Sequence, residues 1–288
     1  MKIGVLGSIN MDIVYQVQTA PLKGQTVFGS TYDVLPGGKG ANQAVMMSAL
    51  GMDVAFLGAI GPDGFGQMAM TAFVDKGIKP TNVVSVKEPT GIAVIELTQN
   101  DNSIVVIPGA NLSLTKADVD QFFQTHDTLD GVVAQLETNL ATVEYFLQVA
   151  HQKQIRTILN PAPAQAITPE WMEFVDVLIP NEHEAAMIFG DIERTALVEK
   201  YPQRLIITLG DQGAMYHDGQ TVVNVPAKTV KVVDTTGAGD SFVAGFVKEY
   251  FQSNQLHAAI QHGIAIASIT CEHLGAQGAF HTVKEMTK

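Results

Sequence analysis

Along the chain, short runs of consecutive apolar residues alternate with stretches in which apolar positions recur every three or four residues. Ile3 to Ile9, Val54 to Ile60, Gly131 to Leu136, Thr157 to Leu159, Val175 to Ile179 and Leu205 to Leu209 read as strands buried on both faces, because a strand covered by helices has no polar side. Phe65 to Asp75, Lys116 to Phe123, Thr142 to His151 and Ala258 to Thr270 carry helical spacing. Strand and helix in repetition predict a parallel, doubly wound sheet. Ligands bind such sheets outside the carboxyl ends of the strands, where Asp12, Glu137, Asn160, Asn181 and Gly210 fall. Two regions alternate instead of running: Ile13 to Thr19 with Gln25 to Val34, and Gly91 to Thr98 with Ile104 to Ile107, turned around Gln99-Asn-Asp-Asn102. They predict a half-exposed β element standing off the main core. A tight hairpin at His217-Asp-Gly219 leads through Thr221 to Val225 toward a valine-rich strand, Val230 to Val233.

After that strand comes Asp234-Thr-Thr-Gly-Ala-Gly-Asp240-Ser-Phe, followed by Phe242, Val243, Phe246, Val247 and Tyr250 at helical spacing. The first turn of this helix is therefore Gly237 to Ser241. Glycines let a backbone approach a ligand closely, and the unpaired amides of a helix start attract an anion. A carboxylate inside that anion site repels phosphate unless it is there to take a proton. Asp240 thus reads either as a base or as a helix N-cap, and spacing does not separate the two. A second glycine cluster, Gly37, Gly38 and Gly40 around Lys39, leads through Asn42 into a helix. It is not a Walker A loop, since Lys39 is followed by Gly40 instead of Ser or Thr, and a plain turn is the competing reading.

Composition narrows the ligands. A chain of 288 residues with 46% apolar content supports one hydrophobic core with an appendage. The charge of -12, from 29 acidic and 17 basic residues, leaves no broad basic footprint for nucleic acid or an anionic membrane, so an anionic ligand needs a local site. The one cysteine, Cys271, excludes an internal disulfide and suits a reducing compartment. The opening apolar run is short for a signal peptide and no stretch has the roughly 18 apolar residues of a membrane span, so a cytoplasmic protein is expected. His183-Glu184 does not complete a zinc-binding H-E-x-x-H pattern.

Asn10-Met-Asp12, Gly37-Gly-Lys-Gly-Ala-Asn42, Asn160-Pro-Ala-Pro163, Pro180-Asn-Glu-His-Glu184 and the segment from Asp234 to Phe242 together resemble the ribokinase-type carbohydrate kinase family over nearly the whole chain. The last segment marks the family, and the Gly-Gly-Lys-Gly-Ala-Asn and Asn-Pro-Ala-Pro segments point to its ribose-phosphorylating branch. The resemblance implies one three-layer α/β/α domain over residues 1–288, built on a doubly wound, mostly parallel sheet. A small β-sheet lid would come from about 13–34 and 91–107, and the family commonly forms a homodimer through its lids. The implied activity is ATP-dependent phosphorylation of a sugar's primary hydroxyl, D-ribose to ribose 5-phosphate. Deoxyribose, fructose and adenosine are alternative acceptors, and a non-catalytic sugar or nucleotide sensor is the alternative of another class. Implied cofactors are ATP, Mg2+ and K+.

Carried over by position, the resemblance assigns Asn10, Asp12, Gly38, Lys39, Asn42 and Glu137 to the sugar. Asp240 becomes a general base that also touches the sugar, with Gly237, Ala238 and Gly239 stabilising charge on the transferring group. Asn181 and Glu184 would organise the phosphates and, indirectly, the magnesium; Thr208, Gly210 and Gly213 would lie beside ATP, and His262 near the adenine. Asp234 and the Thr236 carbonyl match a monovalent-cation site that the loop near Gly275 would complete. Two departures stand out: the short stretch between Met187 and Arg204, expected to trim a nucleotide-side helix, and the local sequence Cys271-Glu-His-Leu-Gly275.

Overall fold

The structure, a computed structural model, describes residues 1–98 and 102–287. The chain opens with β1 (Lys2–Leu6), β2 (Asn10–Gln16), β3 (Thr31–Gly37), α1 (Lys39–Ala49), β4 (Asp53–Ile60) and α2 (Gly64–Asp75). Next come β5 (Lys79–Ser85), β6 (Gly91–Leu97), β7 (Asn102–Ile107), α3 (Lys116–Thr125), β8 (Gly131–Ala134), α4 (Leu140–Gln152) and β9 (Arg156–Leu159). The second half holds β10 (Val177–Leu178), α5 (Glu182–Phe189), α6 (Arg194–Lys200), β11 (Ile206–Thr208), β12 (Ala214–His217) and β13 (Val222–Val225). It ends with α7 (Ala238–Ser253), α8 (Leu256–Cys271) and α9 (Phe280–Met286).

The main sheet runs β10-β9-β8-β1-β4-β5, all parallel, as the uninterrupted apolar runs require. Isolated parallel bridges, Leu178 to Leu205 and Asn181 to Thr208, carry it on toward the antiparallel ribbon β11-β12-β13. Alternate residues of each strand enter different cores. Ile3, Val5, Val133 and Ile158 pack with α1, α7, α8 and α9, whereas Leu6, Val132, Ala134 and Leu159 pack with α3, α4, α5 and α6. Each Val, Leu or Ile side chain so buried contributes about 1.5–3 kcal/mol, which is why both faces are closed by helices. The result is a three-layer α/β/α domain. Among the described residues no helix is long and apolar enough to cross a membrane.

A second sheet, β3-β2-β6-β7, stands beside the first. Its strands β2 and β3 overlap the expected 13–34 region with different limits: β2 begins at Asn10, and Gln25 to Ser30 form no strand. Asn10 and Asp12 therefore lie inside β2, not after a strand running to Ile9, because β1 stops at Leu6. The junction after β1 is sterically tight. A Cβ on Gly7 would overlap Gly40 Cα and one on Gly40 would overlap Gly7 Cα, so α1 begins in direct backbone contact with the β1–β2 junction. The expected turn at Gln99-Asn-Asp-Asn102 lies largely outside the described residues.

One further expectation changes, and some elements had no counterpart in the sequence pattern. Val230 to Val233 is no strand: Val232 and Val233 are exposed, and the Val233 and Asp234 amides both donate to Cys271 O, so this backbone is satisfied by the end of α8 and not by a sheet. β5 escaped the reading because its sequence, Lys-Pro-Thr-Asn-Val-Val-Ser, is that of a half-exposed edge strand. The short helices α6 and α9 were also not read, and α6 occupies the stretch between Met187 and Arg204.

The Gly7–Gly40 contact generates a prediction. Gly40→Ala forces two backbones apart and should cost about 1–3 kcal/mol, the usual penalty of overpacking. Chemical denaturation should show a lower midpoint with an unchanged m-value.

Candidate active site

At the carboxyl ends of the central strands, the start of α7 meets the start of α1. The N-cap of α7 is Gly237, at φ 78, a conformation that glycine adopts without strain. Asp240 is thus the third residue of the helix, and it is 6% exposed. Its carboxylate does not cap the helix. Asn42 Nδ2 donates to Oδ2 at 3.0 Å and Gln43 Nε2 donates to Oδ1 at 3.0 Å. The N-cap reading is corrected: each carboxylate oxygen instead holds an amide from α1.

The network continues beneath. Gln43 Nε2 also donates to Asn160 Oδ1 at 3.1 Å, Gln135 Nε2 donates to Gln43 Oε1 at 2.6 Å, and Asn160 Nδ2 donates to Ile179 O at 2.8 Å. Gln135 follows β8, Asn160 follows β9 and Ile179 follows β10, so three adjacent strand ends support one carboxylate. Above, Gln277 Nε2 donates to Asn42 Oδ1 at 3.0 Å. Gln43, Gln135 and Gln277 were not among the candidates. Gln43 and Gln135 had one signal in the sequence, a long amide where the flanking residues are apolar or small.

The charges of four carboxylates act on one ammonium group. Asp240, Glu137, Glu184 and Asp12 act on Lys39, and although burial works against its charge, their combined field holds its pKa above the ordinary value. Asp240 is driven the other way by burial, with Lys39 and the two amide hydrogen bonds opposing. Asp12 is pushed from 3.8 to about 7, first by burial, then by the charges of Glu137 and Asp240. Asp12 lies against Gly37, where any Cβ would overlap its carboxylate. Asn10 is fixed by Asn111 Nδ2 at 2.8 Å. Glu137 Oε2 accepts from Ser8 Oγ at 2.6 Å and from the Lys39 amide at 3.0 Å, so it also caps α1. Gly38, the N-cap of α1, sits at φ 91 against the Ser8 and Asn10 backbone.

The remaining candidates form two groups. Asn181 and Glu184 make a capping box on α5: Asn181 Oδ1 accepts from Glu184 N and Glu184 Oε2 from Asn181 N, both at 2.8 Å. Burial raises the Glu184 pKa. Thr208 donates from its amide to Pro180 O beside Asn181, and Gly210 and Gly213 shape the turn after β11 with positive φ. His262 contacts Gly245 O at 2.8 Å, a link between α8 and α7. In the second group, Asp234 Oδ1 accepts from the Thr236 amide and hydroxyl at 2.9 and 2.7 Å, and Oδ2 from Gly275 N at 2.8 Å. Burial works against the charge, yet these hydrogen bonds hold the Asp234 pKa below the ordinary value. Ala238 N donates to Thr235 O within the turn, whereas Gly239 faces open space, with nothing within 4 Å of a Cβ placed there. Among the described residues no group of three or more His, Cys, Asp or Glu forms a metal cluster.

The chain matches the model of the pfkB family carbohydrate kinases over residues 1–283. It is 37% identical to the ribokinase of Lactococcus lactis subsp. lactis, over 99% of this chain and 95% of that one. Among solved structures, it is similar to the ribokinase of Thermotoga maritima, with a TM-score of 0.89 at 33% identity over 99% and 98% of the two chains. It is also similar to the Arabidopsis thaliana ribokinase complexed with ribose and ATP, with a TM-score of 0.87 at 27% identity over 99% and 98%.

The raised Asp12 pKa has a measurable consequence. Between 3.8 and about 7 the folded protein holds a proton that the unfolded chain releases, so stability falls as pH rises through that window. Asp12→Asn removes the penalty. Its thermal midpoint should exceed that of the parent at about pH 8 and converge with it below the unfolded-state pKa; a midpoint difference independent of pH refutes the assignment.

Proposed function

The chain belongs to the pfkB family of carbohydrate kinases, phosphotransferases with an alcohol acceptor, and on that footing we propose that it transfers the γ-phosphoryl group of ATP to the primary hydroxyl of D-ribose. The observation that carries this reading is the buried Asp240 carboxylate, held by Asn42 and Gln43 in the first turn of α7. A carboxylate inside a helix-start anion site repels phosphate, which suits a group placed there to take a proton from the nucleophile. In this mechanism Asp240 accepts the hydroxyl proton as the oxygen attacks in line, and the amides about Gly237 and Gly239 stabilise charge on the transferring group. Lys39, kept charged by its carboxylate neighbours, holds ribose or phosphate oxygens. Asp12, Asn10, Gly38, Asn42 and Glu137 orient the sugar.

Asn181 and Glu184 serve the nucleotide side, with Thr208, Gly210, Gly213 and His262 along the ATP. One acid with a capping partner suits Mg2+, which keeps most of its waters and is carried largely by substrate phosphates. When bound, it neutralises charge on the β- and γ-phosphates. Asp234, the Thr236 carbonyl and the Gly275 loop offer oxygen donors of the kind K+ takes, and the lowered Asp234 pKa keeps its carboxylate ionised. Exposed apolar residues on the second sheet, Tyr32, Leu35, Ile104 and Val106 among them, support a homodimer formed through the lid. We place the protein in the cytoplasm.

A coupled ATP-consumption assay across ribose, deoxyribose, fructose and adenosine tests the acceptor: ribose should have the highest kcat/KM, and another acceptor ahead of it would replace it. Asp240→Asn should slow turnover at least about a hundredfold, in line with the loss of a general base. Binding of ribose and MgATP should remain measurable by calorimetry. Because the base works deprotonated and burial raises its pKa, parental kcat/KM should fall on the acid side at a pH above the ordinary carboxylate range. Replacing K+ by a bulky organic cation at equal ionic strength should lower turnover; a flat response leaves Asp234 as a turn residue.

A further inference from the structure

A chain of hydrogen bonds leaves Asp240 and ends on a lysine outside the site. Asn42 Nδ2 donates to Asp240 Oδ2 at 3.0 Å, Gln277 Nε2 donates to Asn42 Oδ1 at 3.0 Å, and Lys76 Nζ donates to Gln277 Oε1 at 2.7 Å. Lys76 follows the last turn of α2 and Gln277 lies in the loop between α8 and α9. Each end of this chain has only one possible role. An ammonium group only donates and an ionised carboxylate only accepts. The two amides between them can each point either way in isolation, but only one arrangement satisfies both ends: Gln277 must turn its oxygen to Lys76, and Asn42 must turn its oxygen to Gln277 and its NH2 group to Asp240.

We propose that Lys76 and Gln277 are positioning residues that set the direction of the Asn42 amide and thereby keep its NH2 group, not its oxygen, against the Asp240 carboxylate. The inference rests on Asp240 being the base. With the amide reversed, an oxygen faces a carboxylate, and Asp240 is favoured in its protonated form, which accepts no proton. Other charged groups act on the same carboxylate without fixing this amide: Lys39 at the start of α1, Glu137 after β8, and Asp12 and Glu184, which share the field around Lys39. Around Lys76 itself are Asp75 on its own helix and the Phe280 ring, which Lys284 also faces.

Gln277→Glu is the decisive substitution. It retains an acceptor for Lys76, now charged, so local packing and the ion contact persist. It offers Asn42 no donor and competes with Asp240 for the Asn42 NH2 group, so the direction of that amide is no longer fixed. Turnover of ribose at pH 7 should fall about ten- to a hundredfold, the range expected for a hydrogen bond to a charged group, with the KM for ATP unchanged. The acid limb of kcat/KM should move upward by about one pH unit, so that raising the pH recovers much of the rate. The thermal midpoint should stay level or rise. Lys76→Met should shift the acid limb in the same direction and Lys76→Arg should restore it. A folded Gln277→Glu protein with the parental rate and acid limb overturns the inference and leaves the kinase reading intact, and so does a loss of rate that follows the thermal midpoint with no shift of the limb. A parent protein that phosphorylates none of the sugars overturns both.

Discussion

Burying the Asp240 carboxylate is the constraint on which the site depends. An isolated charge in a protein interior is so costly that the group protonates unless hydrogen bonds and an opposite charge hold it ionised. Here two amides from α1 and the nearby Lys39 oppose that cost. The compensation is partial, since burial remains the largest influence and the pKa stays raised. In the proposed mechanism a raised pKa gives the base more affinity for the hydroxyl proton.

The same arithmetic explains why α1 is docked so tightly. Asn42 and Gln43 reach Asp240 only because α1 starts in backbone contact with the β1–β2 junction, through Gly7 and Gly40. Its first amides are taken by Ser8 and Glu137: Gly40 N donates to Ser8 Oγ at 3.2 Å and Lys39 N to Glu137 Oε2 at 3.0 Å. Hydrogen bonds already occupy the start of α1, whereas at the start of α7 the exposed Gly239 faces open space. Two helix starts side by side thus differ: the first amides of α1 are taken, whereas α7 has exposed backbone at Gly239 beside the Asp240 carboxylate.

Much of this was legible in the sequence, for identifiable reasons. Parallel strands covered on both faces leave uninterrupted apolar runs, so the central sheet and its order of helices could be read directly. The glycine clusters around Lys39 and before Asp240 marked the two helix starts that meet. Periodicity misled where the backbone finds a partner outside a sheet, as at Val233 and Asp234, whose amides bond to Cys271 O. It was silent where an edge strand is polar, as in β5. Gln277 was beyond reach for another reason. Its importance lies in which distant side chain it faces, and no local pattern encodes a pairing between residues 42 and 277.

That long-range pairing also bears on how the site stays coherent. Gly275 N holds Asp234, a Cβ on Gly237 would overlap Ala276, and Gln277 holds Asn42, so three consecutive residues of one loop touch three parts of the site. A displacement at Asp234 cannot leave Gln277 in place unless this short segment changes conformation. Gly275, at φ 78, is the residue in it with the conformational freedom to do so. The loop therefore joins the proposed cation site mechanically to the amide that faces Asp240. In the proposed reading, a monovalent cation at Asp234 would act on the base through this loop without touching substrate.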